Sequence, residues 1–356
     1  MDTKTGFKFG WSLRNNEAVK SPTDGSRLIA SKTDEQSYWL HFRCEDADRA
    51  LLQESLQVPE IMIEALLAEE PRPRAVAAAG GLLIILRGVN LNEGAEPEDM
   101  ISLRIWMTSD LLITMTRRRS RAVQDCRDYL AGGGQVSGTA GCLNILLRNL
   151  ATRISEVIEV VDEVADQLEE ELLQRESYQL RPMIADIRRQ AIALRRYLAP
   201  QRDALFHLYA ESPEWFDPVE RSRLRENGDR MMRFVEDLDS LRDRAAVTQE
   251  ELTSRLSEQM NRTMYMLALI TGLFLPLGFV TGLLGINVGG MPGVDNHYAF
   301  AIVCGILVLL VVLQYFIFRR LRWIAPRKRT LTSLIQIATN RHCNKRHDNL
   351  TEETKP

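Results

Sequence analysis

The residues with the most chemistry to offer stand at the end of an apolar run, where Gly285, Ile286 and Asn287 close the stretch Thr271-Gly272-Leu273-Phe274-Leu275-Pro276-Leu277-Gly278-Phe279-Val280-Thr281-Gly282-Leu283-Leu284. An asparagine carboxamide presents a carbonyl oxygen and two N–H donors without a charge. Copies of Asn287 gathered round an axis would place a ring of oxygens where the waters of a hydrated divalent cation could be hydrogen-bonded. Gly285 lets the backbone leave helical geometry as the chain turns, and Gly282 and Gly278 allow close packing or leave room in a lumen. A three-letter G-x-N is a weak signal in an arbitrary loop. Here it lies between two uncharged runs, and that placement makes it specific.

From Gly282, five residues before Asn287, counting back by threes and fours draws a stripe through Gly278, Leu275, Thr271, Leu267, Met264 and Asn261, which share one helix face. Thr271 and Asn261 are its polar positions. Leu275, Leu267 and Met264 are candidates for a hydrophobic constriction, with lipid contact or plain packing the alternative for each. Pro276 has no N–H, so the Gly272 carbonyl should lack its usual partner and the helix should bend there. In the following loop Asp295 and His297 are the ionisable side chains; several copies could attract cations, and a solvated loop is the plainer alternative. Near the C-terminus His342, Cys343 and His347 form a set of borderline-soft ligands suited to zinc, opposed by Arg341, Lys345 and Arg346. No cofactor is expected, and whether the chain holds a resident metal is left open.

These residues need elements to hold them. Met264 to Leu284 and Tyr298 to Phe318 carry no charge, and each meets the roughly 20 residues required of a membrane-spanning helix. A pair of buried core helices is the alternative. The loop between the runs has no Lys or Arg, whereas Arg319-Arg320-Leu321-Arg322 and Arg327-Lys328-Arg329 follow the second. Because Lys and Arg are retained on the cytoplasmic side, both termini are expected there, with the basic run touching phospholipid rather than nucleic acid.

Upstream, Asp217-Pro218 reads as a helix start, Asp as N-cap and Pro at the first helical position. From there to Asn287 the pattern shows an interruption at Gly228 and the kink at Pro276; one continuous helix of about 70 residues at about 1.5 Å rise would run roughly 105 Å. A helix that long cannot bury its own faces and calls for copies of itself. Before it, Ile154, Val157, Ile158, Val161, Ala165, Leu168 and Leu172 make an apolar stripe on a strongly acidic helix. Its carboxylates form a solvated coiled-coil face, or else gather cations. A second helix from about Pro182 to Tyr209 carries Arg188, Arg189, Arg195 and Arg196, whose charge should complement the acidic one. Residues 36 to 131 read as α/β: strands at Ser37 to Phe42, Leu82 to Leu86, Ile101 to Trp106 and Leu111 to Met115, helical patterns at Asp46 to Leu56 and Glu60 to Leu67, and a linker at Gly132-Gly133-Gly134.

The expected organisation is therefore an α+β membrane protein: a cytoplasmic α/β domain over 1–134, a helical hairpin over 135–215, a stalk helix over 216–262, transmembrane helices over 263–284 and 298–318 joined by an external loop over 285–297, and a basic tail over 319–356. A net charge of -3 offers no general basic field for nucleic acid. The five cysteines lack CxxC spacing and describe no disulfide framework, and Met1 to Asn16 lacks the apolar core of a signal peptide. No phosphate loop, kinase set or nucleophile constellation occurs, so an enzyme is not expected. A membrane-anchored sensor with a coiled-coil stalk is the rival from another class.

The run from Thr271 to Asn287 resembles the first transmembrane helix and G-x-N signature of the CorA metal-ion transporter superfamily. With Ile286 in the middle and Val288-Gly289-Gly290-Met291-Pro292-Gly293 after it, it is similar to the ZntB zinc-transporter branch, as is Arg195-Arg196-Tyr197-Leu198-Ala199-Pro200-Gln201-Arg202-Asp203. The resemblance covers about residues 36 to 323. It implies a funnel-shaped homopentamer in the bacterial inner membrane whose stalk helices line the pore, with itself, divalent cations and lipids as partners. It also implies Zn2+ uptake, coupled to protons, with Cd2+, Ni2+ or Co2+ as further cargo. A Mg2+/Co2+ channel of CorA type and zinc efflux remain open alternatives.

Overall fold

Strict alternation builds the sheet. Leu82, Ile84 and Leu86 point to one face and Leu83 and Ile85 to the other, and all five are buried, so this strand must be covered on both sides. The computed structural model describes residues 6–14, 17–20, 36–78, 80–174, 178–286 and 297–320. Among them the strands β1 (Phe7–Arg14), β2 (Glu17–Lys20), β3 (Ser37–Arg43), β4 (Arg74–Ala78), β5 (Gly81–Gly88), β6 (Ile101–Met107) and β7 (Leu111–Thr116) form one sheet in the order β2-β1-β3-β7-β6-β5-β4. β4 to β7 are an antiparallel meander, and β3 joins its edge in parallel with β7. The register stacks Leu83 beside Trp106 and Trp106 beside Ile113.

Helices α1 (Glu60–Leu67), α2 (Arg121–Ala131), α3 (Gly138–Gln174), α4 (Leu180–Ala210), α5 (Pro218–Leu284) and α6 (Ala299–Arg320) complete the described elements. One sheet face, with Trp39, Leu82, Ile84, Leu103 and Leu112, packs into a core shared with α2, α3, α4 and the first half of α5. The other face, with Leu40, Leu83, Ile85, Trp106 and Ile113, is closed by α1 and the turns before it. Each such buried aliphatic side chain contributes about 1.5–3 kcal/mol. The chain divides into two compact units, Met1–Leu256 and Ser257–Pro356.

The four expected strands are present. β1, β2, β4 and α2 were not expected; β1 alternates visibly in Phe7-Lys8-Phe9-Gly10-Trp11-Ser12-Leu13, and β4 is a short edge strand with little apolar pattern. The helical pattern at Asp46 to Leu56 takes the form of a 3-10 helix at Cys44–Asp46 and, after two α-helical residues, a π-helix at Leu51–Ser55. There the Leu56 N–H reaches the Leu51 carbonyl at 3.1 Å, which lets both Leu52 and Leu56 enter the core.

Gly228 does not interrupt α5, which runs unbroken for 67 residues. Its missing side chain serves packing instead: a Cβ there would lie 3.4 Å from the Phe206 ring of α4.

The arginines of α4 do not neutralise the acidic helix. Arg195 pairs with Asp239 of α5 at 2.6 Å and Arg189 with Asp186 of its own helix. The carboxylates Asp162, Asp166 and Glu169 of α3 converge on Arg244 of α5, which raises the Arg244 pKa through its bonds to Glu169 and Asp166. The α5 helix thus supplies both partners, because α3 and α4 each turn a charged edge toward it. These three carboxylates are thus bound to one guanidinium.

The start of α5 is pinned by a buried polar network. Asp217 Oδ1 accepts from the N–H groups of Val219 at 2.7 Å and Glu220 at 2.9 Å, the expected N-cap. Glu220 is buried; its carboxylate accepts from Asn144 Nδ2 of α3 at 2.8 Å and Arg223 Nη1 at 2.6 Å. Asn227 Nδ2 donates in turn to Asn144 Oδ1 at 3.3 Å. Asn144→Leu is expected to cost about 2–3 kcal/mol, since it strips a buried carboxylate of a donor, and the urea midpoint of the tryptophan fluorescence transition would measure it.

Candidate functional site

In the second unit the usual burial rule is inverted. The apolar window of α5 has none of its residues buried, and along α6 the one buried residue is Gln314. Leu275 is 67%, Phe279 69% and Phe300 81% exposed. A contiguous apolar surface of this extent is not tolerated against water, and a core helix of a soluble protein would show the opposite burial. Both helices are long enough to cross a bilayer, which selects membrane spans over the buried-helix alternative.

Half-buried positions trace one stripe on each span. On α5 they are Leu269, Gly272, Leu273, Pro276, Leu277 and Val280; on α6 the partly or fully covered set is Ala299, Val303, Cys304, Leu307, Leu310, Gln314 and Phe318. At about 100° per residue, the α5 stripe lies roughly 180° from the line Met264, Leu267, Thr271, Leu275, Gly278, Gly282 and Gly285. The second span therefore covers the back of α5, and the expected pore face is left uncovered in the single chain: Asn261, Met264, Leu267, Thr271, Leu275, Gly278, Gly282, Gly285 and Ile286 are all exposed. A Cβ on Gly278 or Gly282 would meet no atom within 4 Å.

The hydroxyls on α5 differ in a way that bears on this face. Thr263 donates to the Gln259 carbonyl at 3.0 Å and Thr281 to the Leu277 carbonyl at 3.0 Å, whereas Thr271 has no such bond and remains open to a ligand. The helix ends at the signature: the Gly285 N–H is shared between the Thr281 carbonyl at 3.0 Å and the Gly282 carbonyl at 3.2 Å, the tightening expected of a last turn. Ile286 follows, exposed. Asn287 and Asp295 lie outside the described residues, as do His342, Cys343, His347 and the basic residues after Arg320. His297 is described and exposed, in a turn before α6.

Sequence reasoning anticipated the orphaned Gly272 carbonyl but missed what receives it. Pro276 lies inside α5, and Gln314 Nε2 of α6 donates to the Gly272 carbonyl at 3.4 Å. A Cβ on Gly272 would come within 3.2 Å of the Phe318 ring, so glycine allows the two spans to approach. A lone carboxamide in an otherwise uncharged span was the available signal.

The family described as CorA-like Mg2+ transporter protein matches residues 34–320 of this chain. The chain is 40% identical over 326 residues to the divalent cation transporter CmaX of Pseudomonas aeruginosa, covering 90% of this chain and 97% of that protein. It is 35% identical over 311 residues to the zinc transport protein ZntB of Yersinia enterocolitica, covering 85% of this chain and 95% of that one. The solved structure of full-length CmaX superimposes with a TM-score of 0.79 at 35% identity, covering 90% of this chain and 99% of that chain.

Proposed function

Since the chain belongs to the CorA-like family of Mg2+ transporter proteins, we propose that it transports divalent cations through a homopentameric pore, with zinc uptake as its activity. The observation that supports this best is the position of the uncovered stripe on α5. A span that turns Thr271, Gly278 and Gly282 away from its own partner helix, and ends at Gly285-Ile286-Asn287, needs further copies to shield those positions from lipid. A closed ring about an axis normal to the bilayer provides them. Five copies would set five Asn287 carboxamides at the mouth, with the free Thr271 hydroxyls deeper inside and Met264, Leu267 and Leu275 narrowing the passage between polar rings.

Zinc as the cargo is supported by the ZntB proteins among the relatives and by Ile286 in the signature; magnesium is supported by the description of the family itself. Both are strongly hydrated divalent ions, and an uncharged amide ring holds them through their water shells. Entry toward the domain of residues 1–134, with both termini cytoplasmic and the inner membrane as the site, accords with Arg319 and Arg320 closing α6 and a loop free of Lys and Arg.

Flux into sealed vesicles containing the purified protein tests the proposal. Zinc entry is expected to exceed magnesium entry and to rise with an imposed inward proton gradient. Magnesium entry with no zinc entry would transfer the activity to the other ion, and zinc entry indifferent to the gradient would remove the coupling. Mass measurement in mild detergent is expected to give five copies; a monomer or dimer would remove the ring.

A further inference from the structure

We propose that Gln314 is a positioning residue for ion passage: its carboxamide replaces the backbone hydrogen bond that Pro276 removes from α5, and so holds the segment carrying Leu275, Gly278 and Gly282 in place. This rests on the transport reading above. In an uninterrupted helix the N–H of residue 276 would donate to the carbonyl of residue 272; proline has no such hydrogen, and in lipid no water replaces it. Gln314 Nε2 reaches that same carbonyl at 3.4 Å from the neighbouring span.

Three further features select this assignment over generic packing. Gln314 is the one buried residue of α6, in a helix whose other side chains are exposed or only half-buried. Its Oε1 is buried without a hydrogen-bond partner, so the Gly272 carbonyl, which can only accept, is what directs the amide nitrogen toward α5. Gly272 itself admits Phe318 so closely that a Cβ would stand 3.2 Å from the ring, and this close approach brings the 314 amide within range. The donor thus arrives from another element, so the turn of α5 beyond residue 272 takes its position from α6. When that bond breaks, the carbonyl is left unsatisfied in lipid and the turn is free to rotate about the proline. The stripe leading to Asn287 rotates with it.

A cycle of four proteins in sealed vesicles tests this: unmutated, Gln314→Leu, Pro276→Ala and the double variant, each confirmed to have the unmutated oligomeric mass. Gln314→Leu is expected to lower zinc flux at least 10-fold in the proline background and to change it less than 2-fold in the Pro276→Ala background, where the backbone N–H is restored. An equal loss in both backgrounds would overturn the proposal, because the amide would then act elsewhere than on the freed carbonyl. So would unaltered flux in Gln314→Leu. Gln314→Glu separates donation from shape and serves if the leucine variant fails to assemble. A protonated carboxyl can donate to Gly272 and an ionised one cannot, so its flux relative to unmutated protein should fall as pH rises, and a flat ratio would count against the bond. If unmutated protein passes no divalent ion at all, the transport reading fails first and this role falls with it; flux that is present but indifferent to Gln314 sinks this role alone.

Discussion

Zinc flux is expected to drop by about 100-fold or more in Asn287→Ala protein, equivalent to roughly 2.7 kcal/mol in the barrier, while the mass of the assembly stays the same. Alanine has high helix propensity and adds no bulk, so the end of α5 can still form. In the proposed pore, the variant would lose the carbonyl oxygen and amide dipole of every copy at once, where an entering ion would exchange bulk water for aligned acceptors. No neighbour in the signature substitutes, because Gly285 and Ile286 bring no polar side chain. Thr271 is four helical turns deeper. Asn287→Asp keeps the oxygens but adds up to five negative charges to one ring, which should tighten binding and slow release. Uptake at the unmutated rate by pentameric Asn287→Ala protein would take residue 287 out of the conduction path.

Acid should weaken the unit Met1–Leu256 well before ordinary carboxylates titrate. His41 of β3 is buried, with Nδ1 2.9 Å from Thr114 Oγ1 and its ring stacked on Phe9 at 5.0 Å. The same hydroxyl receives the Trp39 indole N–H at 2.9 Å. Burial, opposed by a hydrogen bond with the Thr114 backbone and aided by the charge of Lys8, lowers the His41 pKa from 6.5 to about 3. The native state therefore excludes a proton that the unfolded chain binds below pH 6.5. The stabilisation is complete above that pH and declines as pH falls toward 3, by about 1.4 kcal/mol per pH unit and on the order of 5 kcal/mol in all. Between pH 6.5 and 5, before most carboxylates contribute, the loss should be about 2 kcal/mol. Denaturant midpoints of His41→Gln should lack this early decline; an identical profile in both proteins would show that His41 is protonated in the native state.

A second consequence concerns where charge and burial act together. Asp162, Asp166 and Glu169 read in sequence as a free acidic face, and their partner Arg244 lies about 80 residues away in another helix. The apolar spacing of α3 was legible because helical period is local. The pairing was not, because a charge run carries no information about which neighbouring helix will face it. The same reason explains why Arg195, expected from its charge to complement the acidic helix, instead meets Asp239.

The sequence by itself determined the class of this protein and supplied the residues from which its site is proposed. Two uncharged runs of spanning length, a G-x-N triplet between them, the Asp217 cap and the four core strands are all local patterns, set by side-chain type and period. The tertiary structure decided what lies between elements: β3 beside β7, Gly228 as a contact with Phe206 rather than a break, and α6 behind α5 so that the Thr271 to Gly282 stripe stays uncovered. It also decided the partner of the carbonyl freed by Pro276. The proline announced a missing donor from its own ring chemistry, but which residue would supply the replacement depended on how two helices come to lie against each other and bring together residues 42 positions apart, and no local pattern encodes that pairing.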